Sequence, residues 1–346
     1  MILHCRGEQK VNCPQGKRSH PGVLLVRYRS QTLYQRTANG RPYTFFFKFL
    51  MNKTIYALGF FDGVHLGHQA LLRACRELAD KSGCKAAAVT FSSHPDTLVL
   101  GNTPALINTI EDRVQLLKEQ RMDDVIVLPF DKKMMACPWQ EFLALLRKNY
   151  NAAGLVCGHD FRFGSRGTGN ADLLAAYCQE HHIPCAIVPE QKLEEITVSS
   201  THIRSLLEEG KMEEAAAFLG HPHILSGEVV SGRKLGRTLG IPTANLSIPE
   251  GVAQLPFGVY ACKATVENRE YLAVTNIGNR PTVGGHRITV EPWLLDFEAD
   301  LYGKTLTLSF YRCLRPEQKF PDLDALKEEI QKNAEETRKF FENIAK

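Results

Sequence analysis

The fold of this chain is decided by one stretch, Gly59-Phe60-Phe61-Asp62-Gly63-Val64-His65-Leu66-Gly67-His68. An apolar run before it, residues 55–58, predicts a buried strand, and residues 69–78 after it repeat apolar side chains at helical spacing. The stretch is therefore predicted to form a strand-to-helix turn with two glycines and two histidines. Glycine lets the backbone approach a ligand closely, and the free N–H groups of a helix N-terminus favour phosphate.

The two histidines of this turn, His65 and His68, are three residues apart and so lie on one side of the first helical turn. Together with the turn amides they could stabilise charge that develops on a phosphoryl group. A short His-x-Gly-His string alone is as typical of solvated histidines in a glycine-rich turn. The ten-residue stretch, in its strand–turn–helix setting, favours the phosphate site.

Strands and helices alternate from residue 54 to about residue 190, which predicts a parallel sheet with helices on both faces. Ligands of such sheets bind beyond the carboxyl ends of the strands, where the turn falls. The predicted strands are residues 55–58, 85–91, 124–128, 153–157 and 185–188. The predicted helices are residues 69–78, 111–120, 139–148 and 171–181.

Three further polar motifs follow predicted strands in this half, at residues 90–95, 158–164 and 198–204. The third motif places Ser199, Ser200 and Thr201 before a helix. Arg204 lies one turn in, so that the group can clamp a phosphate. A serine-rich N-cap with a solvated arginine is the alternative. His94, in the first motif, is as typical of a structural histidine as of a functional one.

The apolar period changes after Gly220-His221-Pro222, where we predict the domain boundary. Short strands separated by turn residues then predict a small antiparallel β-barrel. The predicted strands are residues 225–230, 259–266, 272–274, 288–290 and 306–310. Residues 323–341 predict a C-terminal helix. The predicted domains are residues 51–219 and 220–346, after a leader at residues 1–50.

The polar chemistry of the barrel half lies in residues 232–246. Gly232, Gly236 and Gly240 recur every four residues, which is too regular for a casual loop and differs from the Walker A pattern. A flexible surface loop is the alternative. A second polar string, residues 276–282, favours a binding site instead.

Length, charge and cysteine content indicate which classes of protein this chain can belong to. The chain has 346 residues, enough for two domains, and no run of about 18 apolar residues that would span a membrane. Its net charge of +4 is unevenly placed: residues 1–53 hold ten Lys/Arg against one acid, and the remainder holds 32 against 37. The body therefore lacks the basic footprint of nucleic-acid binding. Ten cysteines, none in a Cys-x-x-Cys pair, predict a cytoplasmic protein without a zinc site.

Residues 1–50 differ in character from the rest of the chain. They are rich in arginine and poor in acids, as transit peptides are. A disordered leader is a second interpretation. We favour a third, in which Met51 is the natural start and residues 1–50 are translated upstream sequence. The mass of the native N-terminus would decide between them.

Taken together, these motifs resemble those of the prokaryotic bifunctional riboflavin kinase/FAD synthetases, over residues from about 52 to 345. The signature Gly-x-Phe-Asp-Gly-Val-His-x-Gly-His carries the likeness. It implies a Rossmann-like nucleotidylyltransferase domain that joins FMN to the AMP part of ATP and releases FAD and pyrophosphate. It also implies that His65, His68 and Arg204 are catalytic. The implied ATP-binding residues are Gly59, Phe60, Phe61, Asp62, Gly63, Gly67, Gly158, Asp160, Ser199, Ser200 and Thr201.

The barrel half resembles the riboflavin kinase of the same family, which transfers the γ-phosphate of ATP to riboflavin and so makes FMN. The resemblance implies that Glu291 takes the proton from the ribityl 5′-hydroxyl. It implies that Thr243 and Asn245 bind Mg²⁺ together with ATP. The implied ATP- and flavin-binding residues are Gly232, Gly236, Arg237, Gly240, Pro242, Asn276 and Arg315.

The chain departs from the family pattern directly after Glu291, where a β-type residue and a histidine are usual and Pro292-Trp293 stand instead. Proline donates no ladder hydrogen bond, so the strand is predicted to be an edge or to bulge there. We expect this departure to affect the rate of riboflavin phosphorylation more than the fold. Glu329 and Asn333, where Gln and Asp are typical, are expected to be neutral changes.

Two alternatives stay open on the sequence. In one, only the adenylyltransferase works and the barrel is a flavin-binding module. In the other, the protein is not catalytic and binds flavin and a partner such as RNA through its basic leader; the acidic body and the intact phosphate motifs argue against this. For the favoured function, small-molecule substrates are the expected partners, without nucleic acid or membrane, and a homo-oligomer is compatible with the sequence.

Overall fold

The computed structural model describes residues 53–99, 104–230, 240–248, 251–282 and 285–344. The predicted leader, residues 1–50, lies outside these ranges. The predicted kinase residues Gly232, Gly236 and Arg237 lie outside them as well, so their roles stay predictions.

Five parallel strands form the sheet of the first domain: β1 (Thr54–Leu58), β2 (Lys85–Phe91), β3 (Asp124–Leu128), β4 (Ala152–Gly158) and β5 (Cys185–Val188). Their order across the sheet is β3-β2-β1-β4-β5. The helices along this part of the chain are α1 (Leu66–Lys81), α2 (Pro95–Val99), α3 (Ile110–Glu119), α4 (Lys132–Ala136), α5 (Trp139–Tyr150) and α6 (Ala171–Glu180). The predicted parallel sheet is confirmed, with β1 at its centre.

The central strand β1 buries side chains on both of its faces, because both faces carry helices. Ile55 and Ala57 belong to a core shared with α1 and α3. Tyr56 and Leu58 belong to a second core, shared with α5 and α6. Alternate residues of a strand point to opposite faces, so a strand between two apolar layers is apolar throughout.

Two helices connect this sheet to the rest of the chain. After a short hairpin, β6 (Lys192–Leu193) and β7 (Ile196–Thr197), the chain forms α7 (Ser200–Glu208) and α8 (Met212–Leu219). Buried side chains of α7 and α8 share one apolar core with the strands of the second domain. Ser200 of α7 donates to the Asp62 oxygen and Leu219 of α8 accepts from Gln69 of α1, so the two helices contact both domains. The boundary predicted at residue 220 stays a prediction.

The second domain is a closed antiparallel barrel, as the sequence predicts. Its strands are β8 (His223–Val230), β9 (Asn245–Ser247), β10 (Gly258–Val266), β11 (Arg269–Thr282), β12 (Gly285–Leu294) and β13 (Thr305–Pro316). Their order around the barrel is β10-β11-β12-β9-β8-β13. The sequence did not predict β9, because three residues are too few to show an apolar period.

A long helix, α9 (Leu323–Ile344), packs against the barrel. Its residue Ala334 shares a small core with Val259 of β10 and Val274 of β11. This confirms the predicted C-terminal helix. Among the helices in the described ranges, none combines the length and the apolar character needed to cross a bilayer.

Candidate active sites

The turn after β1 has a strained backbone. Phe61 and Val64 both have positive φ, at 62° and 41°, and Gly63 has φ 81°. Positive φ costs glycine little, whereas it is a genuine outlier for a β-branched residue such as valine. Strain of this kind persists only where the surrounding structure holds it. Here the holding groups are side chains that bind the carbonyl oxygens of the turn.

Arg113 of α3 holds the first of these carbonyls, and the sequence analysis missed it. Its side chain is fully buried, with Nη1 donating to the Phe60 oxygen at 3.1 Å and Nη2 to the Phe91 oxygen at 2.8 Å. The guanidinium lies 4.1 Å from the centre of the Phe60 ring. Burial lowers the pKa of Arg113 to about 10, so it stays charged at neutral pH. An arginine on a predicted helix is usually solvated, so no local pattern of residues indicates this role.

Asp62 lies at the centre of the turn and is only 3% exposed. Its Oδ1 accepts the amide of Ile107 at 2.9 Å, and its Oδ2 accepts Nη1 of Arg204 at 2.9 Å. Its carbonyl oxygen accepts the hydroxyl of Ser200 at 2.9 Å. Burial raises the pKa of Asp62, while Arg204 and the backbone amides act against this shift. The structure therefore brings three predicted site residues together and ties α7 to the turn.

The rings of His65 and His68 stack with their centres 3.6 Å apart. Nδ1 of His65 accepts the amide of His68 at 3.3 Å and so caps α1, which leaves the proton of the neutral ring on Nε2. Burial lowers the pKa of His65 to about 4 and that of His68 well below its ordinary value. Both rings are neutral at pH 7 and offer N–H groups. Nδ1 of His68 is buried without a hydrogen-bond partner among the described residues, a state that a bound ligand or water usually relieves.

The predicted glycines of this site lie at two strand ends and at the start of α1, where a side chain would have little room. Gly59 follows β1 and Gly158 ends the neighbouring strand β4, so both lie at the carboxyl edge of the sheet. A Cβ at Gly59 would lie 3.0 Å from the Phe61 ring, and one at Gly67 would lie 3.2 Å from the first histidine ring. Asp160 follows β4 at the same edge and is exposed.

The predicted phosphate clamp at the start of α7 also serves the fold. Oγ of Ser199 caps α7 by accepting the amide of His202 at 3.2 Å, and Ser200 binds the turn. Thr201 is exposed, and its hydroxyl accepts Nη2 of Arg204 at 3.2 Å. The N-cap interpretation therefore holds for Ser199, and the segment can still bind phosphate in addition. Its contacts to ATP stay predictions.

An apolar pocket of about 420 Å³ lies at the same edge of the sheet, and the sequence analysis missed it. Its wall includes Phe91, Phe130, Met134, Phe163 and two arginines, Arg162 and Arg166. His94 precedes the pocket residue Pro95, and its ring lies 4.6 Å from the Phe60 ring of the turn. The wall is drawn from separate elements, so no single stretch of sequence indicates it.

A second pocket, of about 330 Å³, lies between the barrel and α9. Asn276 and Glu291 meet there because they are paired across β11 and β12. The predicted kinase residues in its wall are Thr243, Asn276, Glu291 and Arg315, together with Trp293 and Phe320. The structure thus gathers into one pocket residues that the chain places far apart.

Arg315 is held in this pocket by α9. Its Nε donates to Oδ1 of Asn333 at 3.1 Å and lies 3.4 Å from a carboxylate oxygen of Glu329. Its guanidinium lies 5.4 Å from the centre of the Phe320 ring. Glu329 and Asn333, which the sequence analysis treats as neutral changes, therefore orient a residue of the pocket.

Strand β12 separates this pocket from a third one. Glu291 and Trp293 line the 330 Å³ pocket, whereas Pro292 and Leu294 line a pocket of about 250 Å³. Because alternate residues of a strand point to opposite faces, β12 alone forms the wall between the two pockets. Thr243 lines both pockets and marks the place where they meet.

The remaining predicted residues of this site lie on the segment that leads into β9. Gly240 has a positive φ of 73°, and Pro242 lines the 250 Å³ pocket. Asn245 begins β9, two residues after Thr243. The segment therefore carries Thr243, one of the two predicted Mg²⁺ ligands, to the meeting point of the two pockets, with Asn245 two residues further along the chain.

Pro292 does not displace β12. The pairing with β11 runs without a register shift, with Pro292 opposite Thr275. The Pro292 oxygen accepts the amide of Ala244 at 2.9 Å, and β12 pairs with β9 only through Val290 and Leu246 in the described residues. Since N and O of one residue point the same way in an antiparallel strand, the missing donor faces this sparsely paired side. The predicted edge or bulge is therefore wrong: β12 lies between β11 and β9 in the closed barrel, and its register with β11 is continuous at Pro292.

Comparison with known proteins assigns a family to each domain. Residues 49–202 match the family model described as FAD synthetase, and residues 219–341 match the one described as riboflavin kinase. A bifunctional riboflavin kinase/FMN adenylyltransferase of Listeria monocytogenes is 33% identical, covering 84% of this chain and 93% of the relative. The chain belongs to this bifunctional family.

Further members of the family, with the same name, agree. The relative from Haemophilus influenzae is 36% identical over 82% of this chain and 93% of its own length, and that from Escherichia coli K12 is 34% identical over 83% and 92%. A crystal structure of a Streptococcus pneumoniae protein, described as a macrolide-efflux protein, superimposes with a TM-score of 0.74. It is 31% identical and covers 83% of this chain and 94% of that chain. The two domain models and the curated relatives agree on the family.

Proposed function

We propose that the two activities of this family divide between the two sites described above. The turn after β1 would adenylylate FMN, and the pockets on either side of β12 would phosphorylate riboflavin. One observation carries this division: β12 sends Glu291 into one pocket and Pro292 into another, and Thr243 borders both. Two adjoining pockets with a carboxylate at one and a hydroxyl at their meeting point suit the transfer of a phosphoryl group between two substrates.

In the first site, adenylyl transfer needs no general base, because the phosphate of FMN is already an anion. An oxygen of that phosphate forms a bond to the α-phosphorus of ATP, and the bond to the pyrophosphate oxygen breaks. The N–H groups of His65 and His68, the turn amides and Arg204 would stabilise the charge on the α-phosphate and the leaving group. Asp62 would keep Arg204 aligned through its 2.9 Å bond.

The 420 Å³ pocket is our candidate for the isoalloxazine ring of FMN in this reaction. Phenylalanine and methionine side chains line it, and such surfaces suit a flat aromatic ring. Arg162 and Arg166 in the same wall would suit an anionic phosphate. The contact of His94 with Phe60 links this pocket to the turn.

In the second site, we place ATP in the 250 Å³ pocket and riboflavin in the 330 Å³ pocket. Glu291 would take the proton of the ribityl 5′-hydroxyl, whose oxygen then forms a bond to the γ-phosphorus while the bond to the ADP oxygen breaks. The hydroxyl of Thr243 and the amide oxygen of Asn245 fit Mg²⁺, which prefers oxygen ligands and takes most of the rest from phosphate and water. When bound, Mg²⁺ neutralises phosphate charge. Arg315, held by Asn333, would orient the flavin.

The interpretation in which only the adenylyltransferase works is not favoured, since the curated relatives carry both activities in their names. A reducing compartment suits the chain, because the eight cysteines in the described residues are free thiols. We therefore propose a cytoplasmic location and small-molecule substrates.

A time course with the full chain tests the proposed function. The chain is incubated with riboflavin, ATP and Mg²⁺, and the flavins are separated at intervals. We expect FMN to rise first and FAD to follow. FAD from added FMN, without any product from riboflavin, would overturn the kinase assignment. FMN that never proceeds to FAD would overturn the adenylyltransferase assignment.

A further inference from the structure

The carbonyl oxygens of the strained turn are held one by one. Arg113 binds the Phe60 oxygen, Ser200 binds the Asp62 oxygen, and Gln69 binds the Val64 oxygen at 3.1 Å. The Phe61 oxygen accepts the amide of Val64 within the turn at 3.2 Å, and the Gly63 oxygen lies 3.0 Å from Nε2 of His221. His221 is the one member of this set that follows α8, two residues before the barrel begins at His223.

The end of α8 is held against the turn by a hydrogen bond and by close packing, and these contacts fix the position of His221. Gln69 binds the Leu219 oxygen at 2.7 Å with the same amide nitrogen that binds Val64. Gly220 has a positive φ of 75°, and a Cβ there would lie 2.6 Å from a methyl carbon of Leu66. The junction packs so closely on α1 that only glycine fits at this position.

We propose that Nε2 of His221 carries the ring proton and donates it to the Gly63 carbonyl, which makes His221 a positioning residue for adenylyl transfer. The Gly63 oxygen belongs to the planar peptide between Gly63 and Val64, so holding this oxygen fixes the orientation of that peptide plane. The chain continues from this peptide through Val64 to His65, whose position depends on it. Val64 has φ 41°, a conformation that needs such support. The junction with the kinase domain thereby sets the geometry of the adenylyltransferase site.

This proposal rests on the proposed function of the turn, and it needs a test that separates its two ring contacts. Nδ1 of His221 lies 2.8 Å from the oxygen of the adjacent Pro222, a contact that could serve only the local turn. The side-chain amide of glutamine can place a donor near the position of Nε2, and that of asparagine near the position of Nδ1. His221→Gln therefore keeps a donor for Gly63, and His221→Asn keeps one for Pro222.

The experiment measures kcat and KM for FAD formation from FMN and ATP, and the rate of riboflavin phosphorylation, in the same preparations. We expect His221→Asn to lower kcat/KM for FAD formation about tenfold, which corresponds to about 1.4 kcal/mol. His221→Gln should stay within about threefold of the unaltered chain. Riboflavin phosphorylation should be unchanged in both variants and reports that each is folded.

Glu213→Gln is the matched control. Glu213 of α8 binds Arg312 of β13, so it also joins an element near the junction to the barrel, but through an exposed ion pair that does not touch the turn. Both activities should be unchanged in this variant.

Equal losses in the Asn and Gln variants, or a greater loss in Gln, would overturn the role of the Gly63 contact. A parallel fall of riboflavin phosphorylation would show a general effect on folding and would overturn it as well. Failure of the proposed function is distinguishable, because the unaltered chain would then form no FAD from FMN in the first place.

Discussion

The two sites of this protein obtain their geometry in different ways. The proposed adenylyltransferase site is an irregular turn, and side chains from α1, α3, α7 and the junction after α8 contact its carbonyl oxygens. The proposed kinase site is built on a regular strand, β12, whose alternating side chains face two pockets. The first site therefore depends on distant side chains, and the second depends mainly on strand register.

The largest expected effects come from removing one group from each site. His68→Ala should lower FAD formation by about 10²–10³-fold and leave riboflavin phosphorylation unchanged, because it removes a donor aimed at developing charge. Glu291→Gln should lower riboflavin phosphorylation by about 10²–10⁴-fold, through loss of the base, and leave FAD formation from FMN unchanged. Steady-state rates of both reactions on both variants give the answer. If either variant lost both activities together, the separation of the two sites would fail.

The next effect concerns the buried support of the turn. Asp62→Ala leaves Arg204 and the amide of Ile107 without their acceptor, and we expect a loss of about 1.5–3 kcal/mol in the free energy of unfolding. Glu213→Gln breaks an exposed ion pair and should cost about 0–1 kcal/mol. Urea unfolding of both variants makes the comparison. Equal costs would mean that the turn is not specially dependent on its buried pair.

A pH effect should follow in the first domain. The pKa of His65 is about 4 in the folded chain against an ordinary value of 6.5, so between these values the unfolded chain binds a proton that the folded chain does not. The free energy of unfolding should therefore fall as the pH falls from about 6.5 to about 4. His65→Asn lacks this titration and should show a shallower fall. An identical pH dependence in both proteins would contradict the assignment.

The smallest effect is expected at the departure from the family pattern. Pro292→Val keeps an apolar side chain in the 250 Å³ pocket and leaves a register with β11 that is already continuous. Riboflavin phosphorylation should change by about twofold at most. A large gain in rate would show instead that the proline impairs the kinase and that the strand is not as regular in solution.

The comparison also explains what the sequence could predict. The longer strands of both domains, the turn and the C-terminal helix were predicted because apolar periodicity and turn residues are local signals, whereas the two- and three-residue strands β6, β7 and β9 were not. Pairing across strands then brought Asn276 to Glu291, which no local pattern contains. Arg113 and His221 were missed for the same reason. Each acts on a turn far away along the chain, and nothing nearby in the sequence distinguishes it from a solvated side chain.

The wall formed by β12 has a consequence for how this strand can vary. Single substitutions alter one pocket at a time, because neighbouring residues of β12 face different pockets. An inserted or deleted residue upstream of Glu291 would instead exchange the two faces, turning the carboxylate toward the 250 Å³ pocket and Pro292 toward the 330 Å³ pocket. The strand should therefore accept changes of side chain while keeping its length, and a library of β12 variants would reveal this as tolerance of substitutions and intolerance of single-residue insertions.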